Sequence, residues 1–132
     1  MLKHILAIPF GIALTWVGIQ HFTNPEPFVE IVPPLFPYAL FWVYVTGVME
    51  IVGGLALIHP KSRENAGKFV ALFLVAVYPA NLYMWTNDVA YNGHHLSTFG
   101  HIIRLLIQIT LITISMYLAG MILRKDESFE DE

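Results

Sequence analysis

The chain is 132 residues long; 56% of its residues are hydrophobic, 13% are charged and its formal net charge is −3. An average soluble domain is about 45–50% apolar and about 25% charged, so this composition excludes an ordinary small soluble globule as well as a disordered chain. Seven Lys and Arg residues are too few for a strongly basic protein, so no nucleic-acid partner is expected, and the absence of cysteine excludes thiol chemistry on this chain.

Four apolar stretches predict four membrane-spanning helices. They cover residues 2–22, 38–58, 67–85 and 98–123. Each has close to the roughly 20 residues that a helix needs to cross a hydrocarbon core about 30 Å thick. The alternative, a soluble four-helix bundle, would require a polar face on every helix, and the third stretch is apolar almost all round. The sequence therefore predicts an all-α, four-helix transmembrane bundle in a lipid bilayer, with up-down-up-down order.

The connection after the first span predicts a short interfacial helix. Asn24 suits the N-cap position, Pro25 suits the first helical position and Glu26 supplies an acid in the first turn. Pro33-Pro34 then ends the helix. Its apolar face is formed by three residues: Phe28, Ile31 and Val32. We expect this helix to lie at the outer interface and to cover the bundle.

The distribution of Lys and Arg predicts the orientation. Cations lie before the first span, between the second and third spans and after the fourth: Lys3, Lys61, Arg63, Lys68, Arg124 and Lys125. The connections 21–37 and 86–97, the second with an expected turn at Asn92-Gly93, contain no Lys or Arg. By the positive-inside rule both termini are expected in the cytoplasm. Residues 1–123 are thus expected to form the bundle, and residues 124–132 an acidic, mobile cytoplasmic tail.

Two charged side chains, Glu50 and Arg104, fall well inside the predicted spans, away from their ends. A charge near the centre of a membrane helix costs at least about 2.5–3.5 kcal/mol, so both should face the bundle interior, where a direct or water-bridged contact between them is feasible. Neutral polar groups fall at the same outer level or on the same helix face as Arg104. The sequence therefore predicts a polar pocket, open to the outer side, that is lined by Gln20, His21, Glu50, Asn81, His101, Arg104 and Gln108.

The small residues of the first two spans indicate helix packing. Small side chains allow transmembrane backbones to approach closely, because lipid supplies no hydrophobic drive for helix association. The predicted packing positions are Gly11, Gly18, Gly47, Gly53 and Gly54. No metal site is predicted, because His94 and His95 are adjacent in sequence and have no acidic cluster near them.

Four segments occur together in this chain: GIQHF at 18–22, NPEPF at 24–28, GVMEIVGG at 47–54 and YPANLYM at 78–84. As a set they resemble the small bacterial DoxX-like membrane proteins, and the likeness covers nearly the whole chain apart from the acidic tail. The resemblance implies a four-helix bundle in the bacterial cytoplasmic (inner) membrane and marks Glu50 and Asn81 as motif positions. Some members of that family are associated with redox enzymes, including thiosulfate–quinone oxidoreductase.

Two functional hypotheses follow. In the first, the protein is an accessory, assembly or small-ligand-binding subunit that contacts another membrane protein, a redox enzyme or a second copy of itself. In the second, it is the membrane subunit of a quinone-linked oxidoreductase, with a quinone or another lipophilic molecule as cofactor. The first is preferred, because no residue set in this chain can move electrons without a bound cofactor, and the sequence does not decide whether the chain is an enzyme.

Overall fold

The computed structural model describes residues 2–90 and 94–123. These residues form five helices: α1 (Leu2–Thr23), α2 (Glu26–Val29), α3 (Ala39–Ile58), α4 (Arg63–Thr86) and α5 (Thr98–Leu118). All except α2 are long and apolar enough to cross a membrane. The prediction of an all-α, four-helix bundle is confirmed, and the chain is a multi-pass membrane protein. The predicted turn at Asn92-Gly93 and the acidic tail lie outside the described residues.

Two helix boundaries differ from the prediction. Helix α4 begins at Arg63, four residues earlier than the apolar stretch suggested, and it continues through Pro79, which removes only one backbone N–H donor from the helix. Helix α5 ends at Leu118 rather than at residue 123. The reason is local: Ala119 caps the helix, and Gly120 then adopts a φ of 72°, a left-handed conformation that stops helices.

The short interfacial helix α2 is present, but its start differs from the prediction. Pro25 occupies the N-cap position with no side-chain cap, so the expected capping role of Asn24 is wrong. Pro27 lies in the first turn, where a missing N–H costs no intrahelical hydrogen bond. The backbone N–H groups of Phe28 and Val29 both bond the Pro25 carbonyl, and this starts the helix one residue later than expected.

The long helices pack as two tight pairs, α1 with α3 and α4 with α5. A Cβ added at Gly11 would lie 2.5 Å from the Gly54 carbonyl oxygen, and one added at Gly18 would lie 2.7 Å from the Gly47 carbonyl oxygen. In the second pair, a Cβ at Gly67 would lie 2.7 Å from the Ala119 nitrogen. Each pair therefore depends on glycines that bring two backbones into contact.

The two ends of the bundle are filled differently. The α2 end is where α1 and α4 finish, and the hairpin end is where residues 59–62 connect α3 to α4. The buried apolar core lies toward the hairpin end and consists of Ala7, Phe10, Leu14, Leu57, Ala66, Val70, Phe73, Leu74 and Leu118. Toward the α2 end this core gives way to a cavity.

Helix α5 has a capped N-terminus. The Ser97 hydroxyl accepts a hydrogen bond from the Gly100 backbone nitrogen at 3.1 Å. We expect Ser97→Ala to lower the free energy of unfolding by about 1 kcal/mol, because one helix N–H loses its acceptor. Denaturant titration in detergent micelles measures this change, with the exposed neighbour Thr98→Ala as control. Equal stability of the two variants would contradict a capping role for Ser97.

Candidate functional site

A cavity of about 680 Å³ occupies the α2 end of the bundle. Its walls come from all five helices and from the loop that follows α2. The lining is mostly apolar, and its polar side chains are His21, Thr46, Glu50, Asn81, Arg104 and Gln108. The volume is within the range of about 300–1,000 Å³ that is typical of small-molecule sites.

Five of the predicted pocket residues line this cavity: His21, Glu50, Asn81, Arg104 and Gln108. The other two do not. Gln20 is one residue from His21 and so points about 100° away around α1, where it is half-buried outside the lining. His101 is 2% exposed and stacks on Trp85, with ring centroids 5.9 Å apart, so it fills the contact between α4 and α5.

A directed chain of hydrogen bonds joins the polar residues of α4 and α5. Arg104 Nη2 donates to Asn81 Oδ1 at 2.7 Å, Asn81 Nδ2 donates to Gln108 Oε1, and Gln108 Nε2 donates to the Leu74 carbonyl oxygen at 2.8 Å. The Leu74 carbonyl can only accept, so it sets the orientation of the Gln108 amide and, through it, that of the Asn81 amide. The guanidinium at the start of this chain is a permanent cation on the cavity wall.

The spacing of the residues explains why this chain of hydrogen bonds forms. Leu74 and Asn81 are seven residues apart on α4, and Arg104 and Gln108 are four apart on α5, so each pair lies on one face of its helix. The Gly67 contact brings those two faces together. Helical periodicity therefore places each pair on one helix face, and the contact between α4 and α5 joins the two pairs into one wall.

The opposite wall, formed by α1 and α3, carries a second polar pair. His21 Nδ1 donates to the Val17 carbonyl oxygen at 2.8 Å, since a carbonyl can only accept, and lies 3.7 Å from Glu50 Oε2. Within the described part of the chain, this buried Glu50 oxygen has no hydrogen-bond partner. The His21 ring also stacks on Phe28, with centroids 3.9 Å apart.

The direct or water-bridged contact between Glu50 and Arg104 stays a prediction. Glu50 pairs with His21 inside the α1–α3 pair, while Arg104 donates to Asn81 inside the α4–α5 pair. The two charged side chains belong to different helix pairs and line one cavity. The site thus has a cationic amide-rich wall and a wall that holds a carboxyl group and an imidazole.

A buried cation at the hairpin end was not recognised as structural from the sequence. Arg63 is 6% exposed; its Nε donates to the Leu57 carbonyl oxygen at 2.9 Å and its Nη2 to the Ile58 carbonyl oxygen at 3.0 Å. Its Nη1 lies 3.2 Å from His4 Nδ1 on α1. Arg63 therefore satisfies carbonyls that the end of α3 leaves without helix partners. The sequence signal for this role was the position of Arg63, only five residues after the last residue of α3, Ile58.

Residues 10–119 match a family described as a domain of unknown function, DUF8561. No curated protein and no solved structure gave a match to the chain. The matched segment contains the paired glycines, the polar residues of both cavity walls, α1 from residue 10 onward and the whole of α3, α4 and α5. Because the match covers well over half of its length, the chain belongs to the DUF8561 family.

Proposed function

We propose that this protein is a membrane-embedded subunit that binds a small lipophilic molecule by its polar head. The observation that supports the proposal is the composition of the cavity: a mostly apolar space of about 680 Å³ that receives polar side chains from both helix pairs. Pockets that combine an apolar lining with a few converging polar groups are typical of small-molecule binding.

The two polar walls favour a head group with both hydrogen-bonding roles. Arg104 and the amide nitrogens of Asn81 and Gln108 are donors, so they suit an acceptor such as a carbonyl oxygen. Glu50 Oε2 is buried without a hydrogen-bond partner among the described residues, and leaving such a group unsatisfied is costly in a membrane interior. A ligand hydroxyl would supply the missing partner.

The glycines favour ligand binding over a purely accessory role. The accessory hypothesis expects a stripe of small residues exposed to a partner protein. The glycines Gly11, Gly18, Gly47 and Gly54 instead face one another inside the α1–α3 pair. The proposal retains the DoxX-like relationship, the bacterial inner membrane and the cytoplasmic termini as predictions from the sequence, together with a membrane-protein or redox-enzyme partner.

A quinone-linked oxidoreductase subunit is the second candidate. The observation in its favour is the division of the cavity into a donor wall, at Arg104 and Asn81, and a wall with two titratable groups, Glu50 and His21. Reduction of a quinone to a quinol takes two electrons and two protons. The donor wall would bind a quinone carbonyl, Glu50 and His21 would relay protons, and a redox-enzyme partner would supply the electrons.

The proposal is tested by extracting lipophilic molecules from the purified protein and counting them by mass spectrometry. We expect about one bound molecule per chain, and at least a tenfold lower amount in Arg104→Ala and Glu50→Gln, because each variant removes one wall of the head-group site. Thr113→Ala is the matched control, since Thr113 is exposed on α5 and lies outside the cavity.

Equal recovery from wild type and from Arg104→Ala would contradict the proposed site. Recovery of no molecule beyond the bulk lipids would overturn the proposal. Among positive results, a quinone would support the second candidate, and a different lipophile would exclude it. Each variant is first checked for an unchanged elution volume and helix content, so that loss of ligand is separated from loss of fold.

A further inference from the structure

We infer that the ligand enters the cavity sideways from the bilayer, through a cleft between α3 and α4 near the α2 end, and carries an apolar chain. This inference rests on the proposed function and deepens it. The name α3–α4 cleft denotes the gap bounded by Trp42 and Val45 on α3 and by Ala76 and Pro79 on α4, all of which line the cavity.

The cavity is lined by apolar groups at both ends. At the α2 end its lining includes five apolar residues: Phe28, Ile31, Val32, Pro33 and Phe36. Phe28 is held in place by its stacking on His21. At the hairpin end, Phe73 and Leu74 belong both to the lining and to the buried core. A ligand that approached from the aqueous phase would therefore meet an apolar lining, which favours entry of a lipophilic ligand through the side of the bundle.

On α4, the cavity extends to the lipid-facing surface. Gly67 packs against α5, and Ala76 is nine residues later, which at about 100° per residue places it on the opposite side of α4. Ala76 nevertheless lines the cavity and is also exposed, as is Pro79 one turn further on. The cavity thus passes the edge of α4 on the side away from α5.

On α3, the side that borders the cleft also faces away from α1, the helix on which α3 packs tightly. Gly47 packs against α1, and Val45, two residues earlier, lies about 200° around the helix from it. Trp42, one turn before Val45, is 37% exposed, and its indole nitrogen donates to the Pro37 carbonyl oxygen at 2.9 Å. This hydrogen bond fixes an aromatic ring at the edge of the cleft.

The cleft is limited in depth and faces acyl chains. Toward the hairpin end it is closed where Gly53 approaches α4, since a Cβ there would lie 3.0 Å from Val70 Cγ2. Ala76 is ten residues before the end of α4 at Thr86, which is roughly 15 Å at 1.5 Å per residue. The opening therefore lies inside the hydrocarbon layer, where a ligand must be dissolved in lipid to reach it.

The test uses Trp42 as a fluorescent reporter of the cavity. Trp16→Phe and Trp85→Phe leave it as the single tryptophan of the chain. The protein is reconstituted in phosphatidylcholine vesicles and titrated with two benzoquinones of identical head group, one with a ten-carbon alkyl chain and one without. Quinones quench tryptophan fluorescence on contact. The probe concentrations are expressed per mole of lipid, so that partitioning of each probe into the bilayer is taken into account.

Filling the cleft should discriminate between the two probes. We expect Ala76→Phe to weaken saturable quenching by the chain-bearing probe at least tenfold at equilibrium, because the alkyl chain of this probe must lie in the cleft. Equilibrium quenching by the chainless probe should stay unchanged, because a narrowed route slows binding without changing the affinity of the head-group site. Val75→Phe is the matched control, since Val75 is 54% exposed, precedes Ala76 and lies outside the cavity lining. It should affect neither probe.

Unchanged quenching of Ala76→Phe by the chain-bearing probe would overturn the lateral route. Equal weakening of the quenching by both probes would also overturn the lateral route, because the substitution would then act on the head-group site. If neither probe gave saturable quenching in the single-tryptophan protein with its native Ala76, the proposed function itself would fail, and the inference would fail with it.

Discussion

Replacing Gly54 with valine is expected to separate α1 from α3 and to lower the free energy of unfolding by about 3 kcal/mol or more. A Cβ at this position would lie 2.5 Å from Thr15 Oγ1 and 2.6 Å from the Gly11 carbonyl oxygen. The carbonyl belongs to the α1 backbone and cannot rotate away. The Thr15 hydroxyl is also held in place, because it donates to the same Gly11 oxygen at 2.8 Å. The only relief is to move the helices apart.

The measurement is the midpoint of unfolding, followed by circular dichroism in detergent micelles. Gly100→Ala is the matched control, because its added Cβ would lie 3.4 Å from Leu96 Cβ, an ordinary contact. Since alanine favours helix over glycine by up to about 1 kcal/mol, this control should be neutral or stabilising. A Gly54→Val protein as stable as wild type would show that the α1–α3 contact tolerates a side chain.

Arg63→Ala is the second substitution with a large expected effect, about 3 kcal/mol of destabilisation. The side chain is buried and donates to the Leu57 and Ile58 carbonyl oxygens, besides contacting His4 on α1. Hydrogen bonds from a charged donor contribute about 1.5–3 kcal/mol, and removing the donor leaves these acceptors unsatisfied. Arg63→Lys should recover only part of the loss, because an ammonium group lacks the planar fork that reaches several acceptors.

Lys68→Ala provides the comparison for Arg63. Lys68 is on the same helix, but it is exposed, and its contact with Glu64 is a surface ion pair at 3.9 Å. Such pairs contribute about 0–1 kcal/mol, so the control should change stability little. Both variants are measured by the same unfolding titration. If Arg63→Ala and Lys68→Ala cost the same, Arg63 does not stabilise the end of α3.

The spans could be predicted from the sequence because length and hydropathy are sufficient for helices in lipid. The helix ends could not. Arg63, Glu64 and Asn65 reduce the hydropathy of the first turn of α4, so the apolar stretch begins at residue 67 although the helix begins at 63. At the C-terminal end of α5, apolar residues continue to residue 123, yet the cap at Ala119 and the left-handed Gly120 end the helix earlier.

The site was predictable where one helix face determines it. Periodicity alone places Arg104 and Gln108 together, and Asn81 meets them because α4 and α5 are neighbours. Periodicity could not predict that Trp85 would cover His101, since this depends on how far along their length α4 and α5 remain in contact. The same holds for Arg63, whose role follows from the geometry of the α3–α4 turn rather than from its charge.

The arrangement in two tight pairs also bears on how the protein is made. The members of each pair are consecutive spans in the chain, α1 with α3 and α4 with α5, and each pair has its own glycine contacts. Since a ribosome delivers spans in chain order, each hairpin can close before the next one is synthesised. The cavity lies between the pairs, so it comes into being only at the last docking step, within a membrane that already holds the molecules it would capture.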